Sequence, residues 1–341
     1  MGPNNNSLRV APDDCRRMPC KVGVLEGKEL LLYSFPSPHP FTSERARRFW
    51  DELRKRKLQV ERLPPQKADK ELLGLFHTAE HIKYVELASK LGYGALDQGD
   101  TPAYKGVFEA TQYAVGSTVH AVEKVMAGEV DHAFNPVGGL HHANRESSAG
   151  FCVFNDIGVA VEVLRKRHNV QSILYVDIDV HHGDGVFYTY EADPELFIFD
   201  VHEDGRYLYP GTGSSWENGY GPAKGSKINI PLEPGAGDAE LESRLPRLEE
   251  FARSARPEFI ILQCGADGLR GDPIAGLDYT PRAHRHVGEL LHRLSHELCA
   301  GRMVALGGGG YVPQNCADAW IEVVEAMTGI VPSMRASSNL V

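Results

Sequence analysis

The sequence predicts an α/β protein, a single three-layer domain in which a mainly parallel sheet lies between two layers of helices. Three observations predict it. Short apolar runs alternate with longer amphipathic segments along the chain. A length of 341 residues with 42% hydrophobic content suffices for one large core, near the upper end of what one α/β domain holds. No internal repeat, low-complexity linker or shift of composition divides the chain.

In chain order, residues 1–18 are rich in Asn, Pro, Asp and Arg and predict a loose N-terminal segment ahead of a single domain over 19–331. The apolar run at 29–33 reads as a strand, and helical patterns follow at 43–56, 70–91 and 104–127. A helix over 158–167 precedes a buried strand over 172–180 and another over 195–199. A helix at 239–253, a strand at 259–264, a helix at 281–298, a strand at 302–306 and a helix at 315–327 complete the alternation. Residues 332–341 read as a loose tail. In sheets of this kind ligands bind beyond the carboxyl ends of the strands, and the polar clusters of this chain fall there.

A formal charge of −10 disfavours nucleic acid or an anionic membrane as partner and is compatible with cationic substrates such as lysine side chains or polyamines. The cysteines at 15, 20, 152, 264, 299 and 316 form no C-x-x-C pair and no secreted disulfide framework, which predicts reduced thiols in a cytoplasmic protein. No apolar stretch has the length of a membrane span, and the opening Met-Gly is followed by Pro3 and Asn6 rather than by a myristoylation signal. The oligomeric state is left open.

The segment from Ile173 to Asp184 starts as a buried strand yet sets Asp177, Asp179 and His181 two residues apart. A side-chain period of two turns all three to one face and Val176, Ile178 and Val180 to the other. Two carboxylates and an imidazole at a buried strand end call for a cation, usually a divalent metal; the plain alternative is a hydrogen-bonded strand end. A second apolar run ends in Asp267, which by itself reads as a cap or turn residue but here completes a two-Asp, one-His set. Three protein ligands leave a tetrahedral ion one open position, as catalytic sites require, and zinc or ferrous iron both suit these donors.

His141 and His142 follow Pro136 and two glycines. Such a pair can ligate a metal, move protons or lie on the surface. Asp177 and Asp184 fall outside the metal set and can orient one imidazole each, which favours acid–base work. The run from Gly307 to Gly310 implies close backbone approach or unusual dihedrals and is no phosphate loop, because no Lys-Ser or Lys-Thr follows. Tyr311 after it is equally a core phenol or a donor to a polarised carbonyl.

Six ordered motifs carry a resemblance across nearly the whole chain: Gly138-Gly-Leu-His-His-Ala143, Ala149-Gly-Phe-Cys-Val-Phe-Asn-Asp156, Asp177-Ile-Asp-Val-His-His-Gly-Asp-Gly185, Pro210-Gly-Thr-Gly213, Gly265-Ala-Asp-Gly-Leu-Arg-Gly-Asp-Pro273 and Gly307-Gly-Gly-Gly-Tyr311. Together they resemble the arginase-like deacetylase superfamily, which includes histone deacetylases, acetoin-utilisation proteins and acetylpolyamine amidohydrolases. The resemblance implies an arginase/deacetylase-like sheet of about eight strands. It implies zinc on Asp179, His181 and Asp267, a His141/His142 pair backed by Asp177 and Asp184, and a carbonyl-polarising Tyr311. Phe151 and Tyr209 resemble the walls of an acyl-lysine tunnel, the second usually a Phe, with Gly150 and Gly309 also along the substrate path. Asp100 resembles a rim aspartate that holds the substrate backbone, and Arg45 an arginine near an internal product channel.

The resemblance further implies potassium or sodium at two places. The nearer would use Asp177, the backbone carbonyls of Asp179, His181 and Val201, and position 200, where the usual Ser is Asp200. The more remote would lie around Tyr190, Asp193 and Leu196. The reaction implied is hydrolysis of an acyl-lysine amide in a protein or peptide, with His142 protonating the leaving amine. Ile274 stands where polyamine-selective relatives can carry a glutamate, which counts against acetylpolyamines. Val201-His-Glu-Asp-Gly-Arg-Tyr-Leu-Tyr-Pro210 resembles the acetoin-utilisation branch. A catalytically weak acyl-lysine binder and an arginase-like two-metal hydrolase, which would need both histidines as ligands, are the other readings.

Overall fold

The computed structural model describes residues 20–330; the segments expected to be loose, 1–18 and 332–341, lie outside them. Eight parallel strands form one sheet in the order β2-β1-β3-β8-β7-β4-β5-β6. In chain order they are β1 (Val22–Leu25), β2 (Glu61–Leu63), β3 (His132–Asn135), β4 (Ile173–Asp177), β5 (Leu196–Glu203), β6 (Lys227–Leu232), β7 (Phe259–Gln263) and β8 (Met303–Leu306). Every residue of β3, β4, β7 and β8 is buried. A parallel sheet covered on both faces has no solvent side, so its strands read as apolar runs without alternation.

The covering helices are α1 (Glu44–Arg56), α2 (Lys70–Leu73), α3 (Ala79–Leu91), α4 (Val107–Met126), α5 (Asp156–His168), α6 (Asp184–Thr189), α7 (Asp238–Glu242), α8 (Leu245–Ala255), α9 (Pro281–Cys299) and α10 (Pro313–Met327). In α1, Ala46, Phe49, Trp50 and Leu53 share the buried face, and Arg54, Lys55 and Arg56 meet the negative end of the helix dipole. None of the helices among the described residues is long and apolar enough to cross a membrane.

Four expectations are corrected. The run at 29–33 is not a strand but a 3-10 helix (Lys28–Leu32) with only Leu30 buried, and the strand lies earlier, at Val22–Leu25. The predicted helix 70–91 is two helices: Gly74 ends α2, and Thr78 caps α3 by accepting the His81 N–H at 3.3 Å. The helix predicted at 239–253 breaks between α7 and α8, which has a proline in its first turn. The strand predicted at 172–180 ends at Asp177, so Asp179 and His181 lie beyond regular pleating.

Topology positions the site. The chain passes from β3 to β4 across two places that β7 and β8 later fill. The loops leaving β3, β8, β7 and β4 therefore emerge side by side at one end of the sheet, although they are far apart in sequence.

Candidate active site

Side-chain turns do beyond β4 what the pleat does within it. Asp177 Oδ1 accepts the Asp179 N–H at 3.0 Å, and Asp179 Oδ1 accepts the His181 N–H at 3.0 Å. Each Asp bonds the backbone two residues on, so the chain turns while Asp177, Asp179 and His181 stay on one side. From β7, Asp267 Oδ1 accepts the Val180 N–H at 3.2 Å. His181 Nδ1 then lies 3.1 Å from Asp179 Oδ1 and 3.2 Å from Asp267 Oδ2.

These residues fit a metal. Their ligand atoms lie within 4.8 Å of one another, and all three are buried. Asp267 Oδ2 has no hydrogen-bond partner, despite lying near His181. Burial lowers the His181 imidazole, but the two carboxylates outweigh it and lift it to about 10. A proton drawn that strongly to His181 marks where a dication would be held by Asp179, His181 and Asp267.

The histidine pair is built by two more carboxylates. His141 Nδ1 is 2.8 Å from Asp177 Oδ2, His142 Nδ1 is 2.7 Å from Asp184 Oδ1, and the two Nε2 atoms face each other at 3.1 Å. Burial raises the Asp177 carboxyl, yet the Asp179 N–H, the His141 ring and the Tyr175 hydroxyl all donate to it, which favours its ionised form. Burial also lowers His141, but Asp177 and Asp179 reverse this and lift it to about 10. Burial and the neighbouring His141 hold His142 down at about 4. With each Nδ1–H given to a carboxylate, the contact between Nε2 atoms has room for one proton. His141 keeps that proton and donates it to His142 Nε2, which is itself unprotonated.

Several positioning residues went unassigned in the sequence. Gln263, the last residue of β7, donates to Asp179 Oδ2 at 2.7 Å and accepts the Gly265 N–H at 2.7 Å. Asp156 accepts from Leu140 N at 2.7 Å, from Gly139 N and from Thr118 Oγ1, and so pins the loop that carries the histidines. A polar residue at the end of an apolar run was the only sign of Gln263, and Asp156 closed one of the six motifs.

The glycine run works by close approach. Gly309 N donates to Asp179 Oδ2 at 2.8 Å, and a Cβ there would collide with Asp267 and Asp179. Arg45, buried in α1, donates to the carbonyls of Gly310 at 2.9 Å and Gly308 at 2.8 Å. It therefore supports the loop directly. Tyr311 N donates to Asp272 Oδ2 at 2.8 Å, which fixes the residue after the loop. Burial first, and then Asp267 and Asp179, raise the Tyr311 phenol well above its ordinary value, so it is a neutral O–H donor.

The inner cavity is lined by Gly139, His141, His142, Gly150, Asp179, His181, Gly309 and Tyr311 among others. Outside it, Asp100, Phe151, Tyr209 and Ile274 border a vestibule of about 230 Å³ that also reaches His142, His181 and Tyr311. Gly150 has φ 52°, and a Cβ on it would stand 2.5 Å from His142 Cδ2 and 3.1 Å from Tyr209 Cε1. Only a glycine lets the three groups meet.

At the nearer cation position, Asp200 accepts from His202 Nδ1 at 2.6 Å and from Gly183 N at 2.9 Å, and Val201 is buried in β5. The more remote position is corrected. Buried Lys227 donates to the Asp193 carbonyl at 2.7 Å and to that of Leu196, while Tyr190 turns its hydroxyl to Glu162 at 3.1 Å. A lysine ammonium therefore takes the place expected for potassium.

The histone deacetylase domain profile matches residues 39–327. The acetoin utilization protein AcuC of Bacillus subtilis is 38% identical over 88% of this chain and 80% of its own length. Histone deacetylase clr6 of Schizosaccharomyces pombe is 30% identical over 94% of this chain and 79% of its own. Human histone deacetylase 1 is 32% identical over 82% of this chain, which spans 58% of that protein. The crystal structure of the HDA15 HD domain superposes with a TM-score of 0.84 at 27% identity, covering 92% of this chain and 90% of that one. The chain is an amide-bond hydrolase that belongs to the histone deacetylase family.

Proposed function

We propose that the chain hydrolyses the amide of acyl-lysine side chains, acetyl-lysine or a similar short acyl group, in proteins or peptides, with one metal ion held by Asp179, His181 and Asp267. The observation that carries this reading is the convergence of that set, the carboxylate-backed histidine pair and a neutral Tyr311 on one cavity behind a vestibule. Zinc, or ferrous iron, supplies Lewis-acid polarisation and makes a water more acidic.

The chain's own groups do the rest. His142 Nε2 takes the proton of the attacking water and returns it to the nitrogen of the departing amine, while Asp184 holds the ring through Nδ1. Cationic His141 favours the negative charge that develops beside it, and Asp177 keeps it in place. The Tyr311 hydroxyl donates to the carbonyl oxygen as that atom becomes an oxyanion. Phe151 and Tyr209 flank the methylene stem, whose apolar length suits aromatic walls. Asp100, which borders the vestibule, holds the substrate backbone at the rim.

Both nitrogens of His141 and both of His142 are already engaged, with Asp177, with Asp184 and with each other. This disfavours the two-metal reading. Ile274 brings no charge to the vestibule, which disfavours a polyamine. Buried, unbridged Cys152, Cys264, Cys299 and Cys316 suit a cytoplasmic setting. The test is turnover of acetyl-, longer-acyl- and trifluoroacetyl-lysine peptides beside acetylspermidine and acetylputrescine, with Tyr311→Phe as control. Turnover of the lysine peptides supports the proposal. Polyamine-only turnover moves the substrate class, and tight peptide binding without turnover by metal-loaded protein identifies a binder.

A further inference from the structure

At the other end of the sheet from the active site, a second group of metal-binding side chains comes together. His132 opens β3, His292 and His296 stand one turn apart on α9, and Cys20 lies just before β1. One ligand atom from each of these four residues falls within 4.8 Å of all the others. His132 Nε2 is 2.9 Å from His292 Nδ1, and Cys20 Sγ is 3.2 Å from His296 Nε2. Around a tetrahedral zinc with bonds of about 2.0–2.3 Å, neighbouring ligand atoms stand about 3.3–3.6 Å apart. The two close contacts need only sub-ångström widening to admit the ion.

We propose that Cys20, His132, His292 and His296 form a closed, structural zinc site. A thiolate with three imidazoles is a zinc-type donor set, and four protein ligands leave no position for a reacting water. His132 turns Nε2 to the cluster, and its Nδ1 is buried without a hydrogen-bond partner. Space is kept for the rings: a Cβ on Gly301 would stand 2.9 Å from His296 Cε1, and one on Gly329 3.0 Å from His292 Nε2.

Three segments distant in sequence meet here. The ion ties the stretch entering β1 to β3 and to α9, so its binding energy becomes folding energy. Catalysis lies at the opposite strand ends and does not involve it.

Cobalt distinguishes this site from the active site, whose ligand set of Asp179, His181 and Asp267 has no sulfur. The full chain, stripped of metal and reloaded with Co²⁺, is expected to show a thiolate-to-cobalt charge-transfer band in the near ultraviolet. The band should vanish in Cys20→Ser and in His296→Ala, each binding one equivalent fewer than the unaltered chain whatever the active site holds. Cys20→Ser should also melt earlier and lose the stabilisation that zinc gives the unaltered chain at this site, with turnover per loaded active site unchanged. Absence of the band from the folded, unaltered chain, or its persistence in Cys20→Ser, would overturn the proposal.

Discussion

His141 Nε2 and His142 Nε2 stand 3.1 Å apart, each ring held from behind by a different carboxylate. The pair therefore divides labour: one ring keeps a proton and the other is free to accept one. His142→Ala is expected to lower kcat by about 10²–10⁴-fold with the fold intact. The measurement is steady-state turnover beside circular dichroism.

Burial and His141 lower His142, so the neutral base persists to unusually acidic pH. Activity requires the unprotonated ring and is lost as pH falls through its pKa. The acid limb of kcat/KM is therefore expected below the ordinary histidine value of about 6.5. Asp184 opposes this lowering, so Asp184→Asn should move the limb further down and reduce the plateau. A limb at or above the ordinary value would contradict this assignment.

Gln263 acts through Asp179. Its amide donates to the carboxylate oxygen that Gly309 N also meets. Gln263→Ala removes one of those two donors, and metal affinity is expected to fall about 10–100-fold, as is usual for partners of metal ligands. Excess metal should restore much of the activity. A merely structural loss would not be rescued this way.

How much of this was legible in the sequence depended on whether a residue stood out from its neighbours. Asp179 and Asp267 did, as carboxylates at the ends of apolar runs, and so did adjacent His141 and His142. Gln263 did not, because one amide at the end of a buried run is equally a strand terminus. Short strands failed in the same way: β1 and β2 have four and three residues, too few for periodicity, while Leu30-Leu31-Leu32 imitated a strand. Cys20 and His296 are 276 residues apart, and nothing local joins them.

Lys227 gives a test of the departure at the remote cation position. Its ammonium donates to the carbonyls of Asp193 and Leu196 and to Ser226 Oγ at 3.0 Å. Lys227→Ala leaves buried carbonyls unpaired and is expected to cost about 1–3 kcal/mol. Potassium should raise the melting temperature of the variant more than that of the unaltered chain, with sodium and choline chlorides as controls. An equal response in both would show that Lys227 does not stand in for the ion.

Gly150→Ala tests the packing of the tunnel mouth. Its Cβ would press on His142 and Tyr209 at a backbone conformation that L side chains rarely adopt. Turnover is expected to drop at least about tenfold, because a base displaced by a fraction of an ångström loses its alignment. The metal content of the variant should match that of the unaltered chain.

The central claim, that Asp179, His181 and Asp267 hold an ion on which amide hydrolysis depends, is tested most directly by following turnover of an acetyl-lysine peptide through metal removal and return. Loss of activity on stripping, recovery on adding zinc or ferrous iron, and no recovery in Asp267→Ala are the expected results. Undiminished turnover by protein shown to contain no metal would contradict it.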